Sequence, residues 1–218
     1  MIYILLLLIR FLFVFKQTKI DFDTYGHIYF SKEVNRQKVG PFGNIKLKVL
    51  GNESFAHPFL WHYFIGKIPT KFLINYGKWI NLLLDTLFGI FLFLFCVYVL
   101  EFSPNISALA ISIYFYSPLL FSSLSTGPRL KSLTPRIISE IGLNLYFIFL
   151  LFSPIEILYV NWAIALFFGV VVFTSSKFGL QALLFLSPLV SLFSQNIEPI
   201  AGLVFIYLIS YVISKGKI

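Results

Sequence analysis

The amino-acid sequence predicts an all-α membrane protein, a multi-pass transmembrane helical bundle of about seven spans whose large first loop carries interfacial helices. Three observations carry that prediction. Of 218 residues, 58% are hydrophobic and only 12% charged, with a mean hydropathy of +0.87, whereas a soluble domain is charged at about a quarter of its positions. Apolar runs of near-spanning length recur along the chain, and short breaks of proline, serine and amide residues separate them. Because hydrocarbon cannot satisfy an open backbone, segments of this kind are helices.

The first run, 2–15, has no basic stretch before it, carries Arg10 within it and lacks a small-residue cleavage site at its end. It therefore reads as a retained first helix and not as a cleaved leader. Further runs fall at roughly 79–100, 106–124, 137–153, 157–174, 178–193 and 197–213. Breaks at Ser103-Pro104-Asn105, Ser153-Pro154 and Gln195-Asn196 punctuate them. Connections this short make neighbouring helices antiparallel, the ordinary wiring of a bundle. The single cysteine, Cys96, lies inside an apolar run and excludes an internal disulfide. With no internal repeat, residues 1–218 read as one transmembrane domain.

Residues 16–78 differ from everything after them, holding most of the charge and all three histidines. From Ser54 to Lys78, aromatic and aliphatic residues alternate with Lys67, Lys71 and Lys78, the pattern of helices lying in the plane of the interface. The net charge of +8 is concentrated beside membrane segments and in this loop. Membrane lipids with anionic headgroups, or a lipid-linked phosphate, are the partners it predicts, and nucleic acid is not.

The chemistry concentrates in Asp21-Phe22-Asp23-Thr24-Tyr25-Gly26-His27. Asp23 is placed to cap a helix running from Thr24 to Arg36. On that helix Asp23 and His27, four residues apart, share a face, with Asp21 just before it. Two carboxylates and an imidazole can thus converge at the membrane surface, although aspartate at a helix start is also a common purely structural cap. Further along the loop stand His57, Pro58 and His62. A spacing of five puts the two histidines on different faces of a helix, unlike the four-residue spacing of helical zinc motifs.

These residues together resemble the membrane glycosyltransferases of the C-type fold, in particular the branch of protein O-mannosyltransferases and lipid A aminoarabinose transferases. The match is carried by Asp23-Thr24-Tyr25-Gly26-His27, Lys32-Glu33, Gly40-Pro41 and His57-Pro58-Phe59-Leu60, and extends weakly through Lys78-Trp79-Ile80-Asn81 to Tyr116-Ser117-Pro118. It covers about the first 120 residues. Two positions depart from the family pattern: Thr24 stands where a second acid is usual, and Phe59 where a second proline is.

The resemblance implies a hexosyltransferase that moves a sugar, with inversion, from a polyprenyl-phosphate-linked sugar to a glycan, lipid or protein acceptor. It makes 16–78 the extracytoplasmic catalytic loop and Asp23 the base towards the acceptor hydroxyl. Asp21 then binds the acceptor, steadies a basic side chain or shares a divalent metal with Asp23. A departing lipid phosphate needs cations. Arg129, Lys131 and Arg136 lie in one loop on the same side as the large one, and Lys78 enters the second helix. The same basic residues would also serve as topological charge, and Glu140 is four residues from Arg136, within reach of an intrahelical pair.

Charge pattern and resemblance disagree on orientation. The large loop, the 125–136 loop, Lys177, Lys215 and Lys217 fall on one side, while the opposite turns carry Glu101, Glu156 and Glu198. A bias of basic residues normally marks the cytoplasm, whereas the resemblance implies the outer face. The chain is also short for the family, so it reads as a minimal module, a fragment, or one part of an assembly with partner subunits. A non-enzymatic transporter subunit or envelope-assembly partner is the alternative, and Asp85, the one strong acid within a span, is its signature.

Overall fold

Apolar runs interrupted by few helix breakers give eight helices among the residues described in the computed structural model, which are 8, 11, 12, 15, 22–47, 54–56, 59–116 and 133–217. In chain order these are α1 (Phe22–Arg36), α2 (Leu60–Gly66), α3 (Thr70–Tyr98), α4 (Pro104–Tyr116), α5 (Arg136–Leu151), α6 (Leu158–Ser175), α7 (Lys177–Ser194) and α8 (Glu198–Ile213). One antiparallel hairpin, β1 (Asn44–Lys46) with β2 (Ser54–Ala56), interrupts the series and pairs Ile45 opposite Phe55.

Three helices, α3, α6 and α7, are long and apolar enough to cross a membrane, so the expected seven or so spans are not found among the described residues. At 1.5 Å per residue, the 16 residues of α5 or of α8 reach about 24 Å, short of a hydrocarbon layer of about 30 Å. The runs at 137–153 and 197–213 nearly coincide with α5 and α8, so it is the length of these helices themselves that falls short. Phe152, Ile155 and Ile157 all lie in the non-helical connection between α5 and α6. The 106–124 run is described only as far as Tyr116, and most of 2–15 lies outside the described residues.

The expectation for 54–78 also changes. In place of successive interfacial helices, the chain forms β2, the single short helix α2, and then α3, whose 29 residues run without a break from Thr70 into the second span. The reason is visible in its buried stripe: Leu73, Gly77, Asn81 and Asp85 recur every four residues, so one helical face continues across the level of Lys78.

The chain divides into two compact units, Met1–His27 with Pro69–Ile137, and Ile28–Ile68 with Ile138–Ile218. In the first, the turn after α3 folds α4 back along it, and Phe88 of α3 meets Tyr114 of α4 ring edge to face at 5.6 Å.

In the second unit, α5 to α8 pack through small residues. A methyl placed on Gly142 would lie 2.6 Å from Val172, one on Gly179 would lie 2.7 Å from the Val172 carbonyl, and one on Gly202 would lie 2.5 Å from the Tyr146 hydroxyl. Large apolar side chains point outward instead, Phe185 and Leu192 each being 72% exposed and Phe193 83%. Small residues inside and large ones outside is how helices associate in lipid, where close backbone approach replaces the hydrophobic drive. Across these interfaces the buried Tyr146 hydroxyl donates to the Pro199 carbonyl at 2.8 Å, and Ser139 and Ser176 share a hydrogen bond at 2.7 Å.

The rest of that unit is built on a small hydrophobic core of Val34, Ile45, Leu47 and Phe59, with Phe30, Val39 and Tyr63 packed against it. Gln37 fixes the hairpin by bonding both the amide and the carbonyl of Lys46. Lys32 and Asn35 close the C-terminal end of α2, both donating to the Gly66 carbonyl, at 2.9 and 2.8 Å, and Lys32 also reaches the Ile68 carbonyl.

Candidate functional site at the start of α1

Helix α1 begins at Phe22, two residues earlier than the expected start at Thr24, so Asp23 sits inside the first turn and not at the cap. The carboxylate still lies at the positive end of the helix dipole. His27 follows one turn later on the same helix, as the spacing requires, and both residues are half-buried.

The residue between them that organises the site is Thr24, only 3% exposed. Its hydroxyl oxygen accepts from the Leu133 amide at 3.0 Å across 109 residues of sequence. Leu133 is itself fully buried, and its side chain lies against Gly77 of α3, where an added methyl would stand 3.4 Å from Cδ2. Leu133 therefore ties together three segments of the first unit: the start of α1 with Asp23, the part of α3 that carries Lys78, and the chain entering α5 at Arg136. At that entry the Arg136 amide donates to the Thr134 hydroxyl at 3.3 Å.

Lys78 is half-buried, with its ammonium 5.4 Å from the ring centroid of Trp79, a cation–π contact that holds it beside the indole. The Trp79 ring in turn packs, tilted, with its centroid 5.1 Å from that of Phe11 in the first segment. Carboxylate, imidazole, ammonium and guanidinium thus occur on segments that meet at one buried residue. This is a constellation suited to deprotonating a hydroxyl on one side and holding an anionic group on the other.

Other predicted residues fall elsewhere. Asp21, His57, Pro58, Arg129 and Lys131 lie outside the described residues. His62 belongs to the second unit, 4% exposed, with the rings of Phe30 and Phe59 edge-on to it at 6.2 and 6.1 Å. The Lys32-Glu33 pair has structural work there: Lys32 caps α2, while Glu33 takes a two-pronged bond from Arg36 and one from Gln37. Among the described residues no three His, Cys, Asp or Glu side chains gather in a way that would hold a metal ion.

In the sequence Thr24 stands out only as a departure from a pattern, and Leu133 does not stand out at all. A lone threonine in a polar stretch carries no signal of a partner more than a hundred residues away. Family models, curated proteins and solved structures were all searched, and none matches this chain.

Proposed function

We propose that the protein is a membrane glycosyltransferase of the C-type fold, taking a sugar from a polyprenyl-phosphate donor and passing it to a glycan, lipid or protein acceptor at the membrane surface. The observation that supports the reading is the buried Thr24–Leu133 bond, which joins the acidic start of α1 to the end of the basic 125–136 loop within one unit. In this reading both segments face the extracytoplasmic side, and the shorter helices α5 and α8 belong to the same membrane domain as α6 and α7.

The chemistry then assigns itself by charge. Asp23 takes the proton of the acceptor hydroxyl as its oxygen attacks the anomeric carbon; the bond from that carbon to the phosphate oxygen breaks, and the polyprenyl phosphate leaves. Arg136 stabilises the charge growing on that phosphate, with Arg129, Lys131 and Lys78 as further cations. His27, one turn from Asp23, orients the carboxylate or the acceptor. The same proposal has room for a divalent metal shared by Asp21 and Asp23.

The test is turnover of a polyprenyl-phosphate sugar by purified protein. Asp23→Asn keeps the shape and loses the base, so transfer should fall about 10²–10⁴-fold in a protein that stays monodisperse. Arg136→Lys should weaken use of the lipid donor, since lysine cannot bind phosphate with two parallel bonds. Wild-type turnover by folded Asp23→Asn would end the proposal.

A second reading is favoured by one observation. Asp85 is fully buried in α3, about 10 Å along the helix from Lys78, and accepts from the Tyr114 hydroxyl at 3.1 Å. An enclosed acid within a span is the mark of an ion or proton path, and a transporter subunit would depend on Asp85 and tolerate Asp23→Asn.

A further inference from the structure

The second unit contains a cleft of about 350 Å³ where α2 lies over α5 and α6. It is lined by Leu60, Trp61 and Phe64 of α2, by Ile141 and Gly142 of α5, and by Phe168 of α6, with Ser175 as a polar residue in the wall. A space of that size is worth roughly a dozen water volumes of about 30 Å³, yet these walls would leave water almost without hydrogen bonds. One wall belongs to α6, which is long and apolar enough to span a membrane, so an apolar chain is the fitting content for the cleft.

Two polar features sit at its α2 side. The Trp61 indole Nε1 is buried with no hydrogen-bond partner among the described residues, a donor awaiting an acceptor. One turn beyond Trp61, Phe64 lines the cleft, and the exposed ammonium of Lys67 lies 5.6 Å from its ring centroid and 4.3 Å from that of Tyr63. The two rings hold the cation beside Phe64, and no carboxylate among the described residues pairs with it. Apolar walls, one buried donor and a cation beside the lining residue Phe64 match the parts of a glycerophospholipid: acyl chain, ester carbonyl, phosphate.

We propose that this cleft binds an anionic phospholipid, with one acyl chain between α2 and α6, an ester carbonyl accepting from Trp61 and the phosphate against Lys67. The site goes beyond the proposed transfer reaction and does not depend on it. One basic side chain beside an anionic headgroup favours it about fivefold over a zwitterionic one.

Quenching of Trp61 fluorescence by lipids brominated on the acyl chain tests this, in full-length Trp79→Phe/Trp162→Phe protein whose fold is checked by circular dichroism. In mixed vesicles, brominated phosphatidylglycerol should quench with about fivefold higher apparent affinity than brominated phosphatidylcholine. Lys67→Gln should erase that preference while leaving quenching intact, and Val171→Phe, which fills the cleft, should remove the quenching itself. Equal quenching by the two lipids in the parent protein would overturn the anionic specificity. Quenching that survives Val171→Phe in a folded protein would overturn the site. Displacement of the brominated lipid by equimolar polyprenyl phosphate would identify an isoprenoid carrier as the occupant and overturn this assignment too.

Discussion

Replacing Thr24 with valine changes almost nothing in shape and removes the hydroxyl. The hydroxyl it deletes takes the Leu133 amide at 3.0 Å in a place where Thr24 is 3% exposed and Leu133 fully buried, so neither water nor lipid can replace it. A buried donor left without a partner costs about 1–3 kcal/mol, partly offset by the extra apolar group of valine. Thr24→Ser is the control, because it keeps the oxygen and gives up one methyl, worth about 0.8 kcal/mol. Unfolding by denaturant in detergent should therefore rank wild type, serine, then valine. Turnover should separate the variants more sharply if the bond also sets the distance between Asp23 and Arg136: Thr24→Ser should stay close to wild type and Thr24→Val should lose the positioning that transfer needs. Thr24→Val with wild-type stability would refute the claim that this bond holds the three segments together. A destabilised Thr24→Val with unchanged turnover would instead leave the bond as a purely structural tie.

Three further outcomes can be checked independently. Gly66→Ala should destabilise the small core of the second unit by about 1–3 kcal/mol, since the new methyl falls onto the Ser31 carbonyl, backbone that cannot swing aside, and the gain in helix propensity is too small to offset it; unchanged thermal unfolding would contradict that packing. Gly202→Ala and Tyr146→Phe should couple: the alanine methyl would lie 2.5 Å from the Tyr146 hydroxyl, so the double variant should be about 0.5–3 kcal/mol more stable than the sum of the singles predicts, and additivity would exclude the contact. Gly40→Cys in a Cys96→Ala background, at an exposed position where a side chain meets no atom within 4 Å, should react with an impermeant maleimide from outside intact cells, whereas labelling only from the cytoplasmic face would remove the extracytoplasmic loop and with it the sugar-transfer reading.

How much of the fold is legible in the sequence follows from the range of the interactions involved. The i, i+4 relation of Asp23 and His27, the antiparallel turn at Ser103-Pro104-Asn105 and the all-helical class are local, and local chemistry writes itself into spacing and breakers. Apolar runs overcount the spans because two of them, 137–153 and 197–213, fold as helices of only 16 residues each. Ile155 and Ile157 score like any span residue, yet the Asn161 side chain bonds backbone groups of both Ile155 and Ile157, holding that stretch as a turn before α6. The start of α3 is hidden for a different reason: Lys71 and Lys78 look like a boundary, but the helix runs through both without breaking, over 29 residues.

Long-range contacts leave no such trace. Thr24 with Leu133, Tyr146 with Gly202 and Lys32 with the end of α2 each join an unremarkable residue to a distant backbone group or glycine, and backbone groups are the same in every residue. The candidate site divides along the same line. Of the motif residues on which the family resemblance rests, Lys32 and Glu33 are occupied in building the small core of the second unit, and His62 of the same loop is flanked by aromatic rings. Asp23, Lys78 and Arg136 instead sit on segments joined through Leu133. A polar residue whose bonds serve the fold explains its own presence. Because Asp23, Lys78 and Arg136 share that junction, a variant series that tests the sugar-transfer proposal begins with them before turning to the histidines.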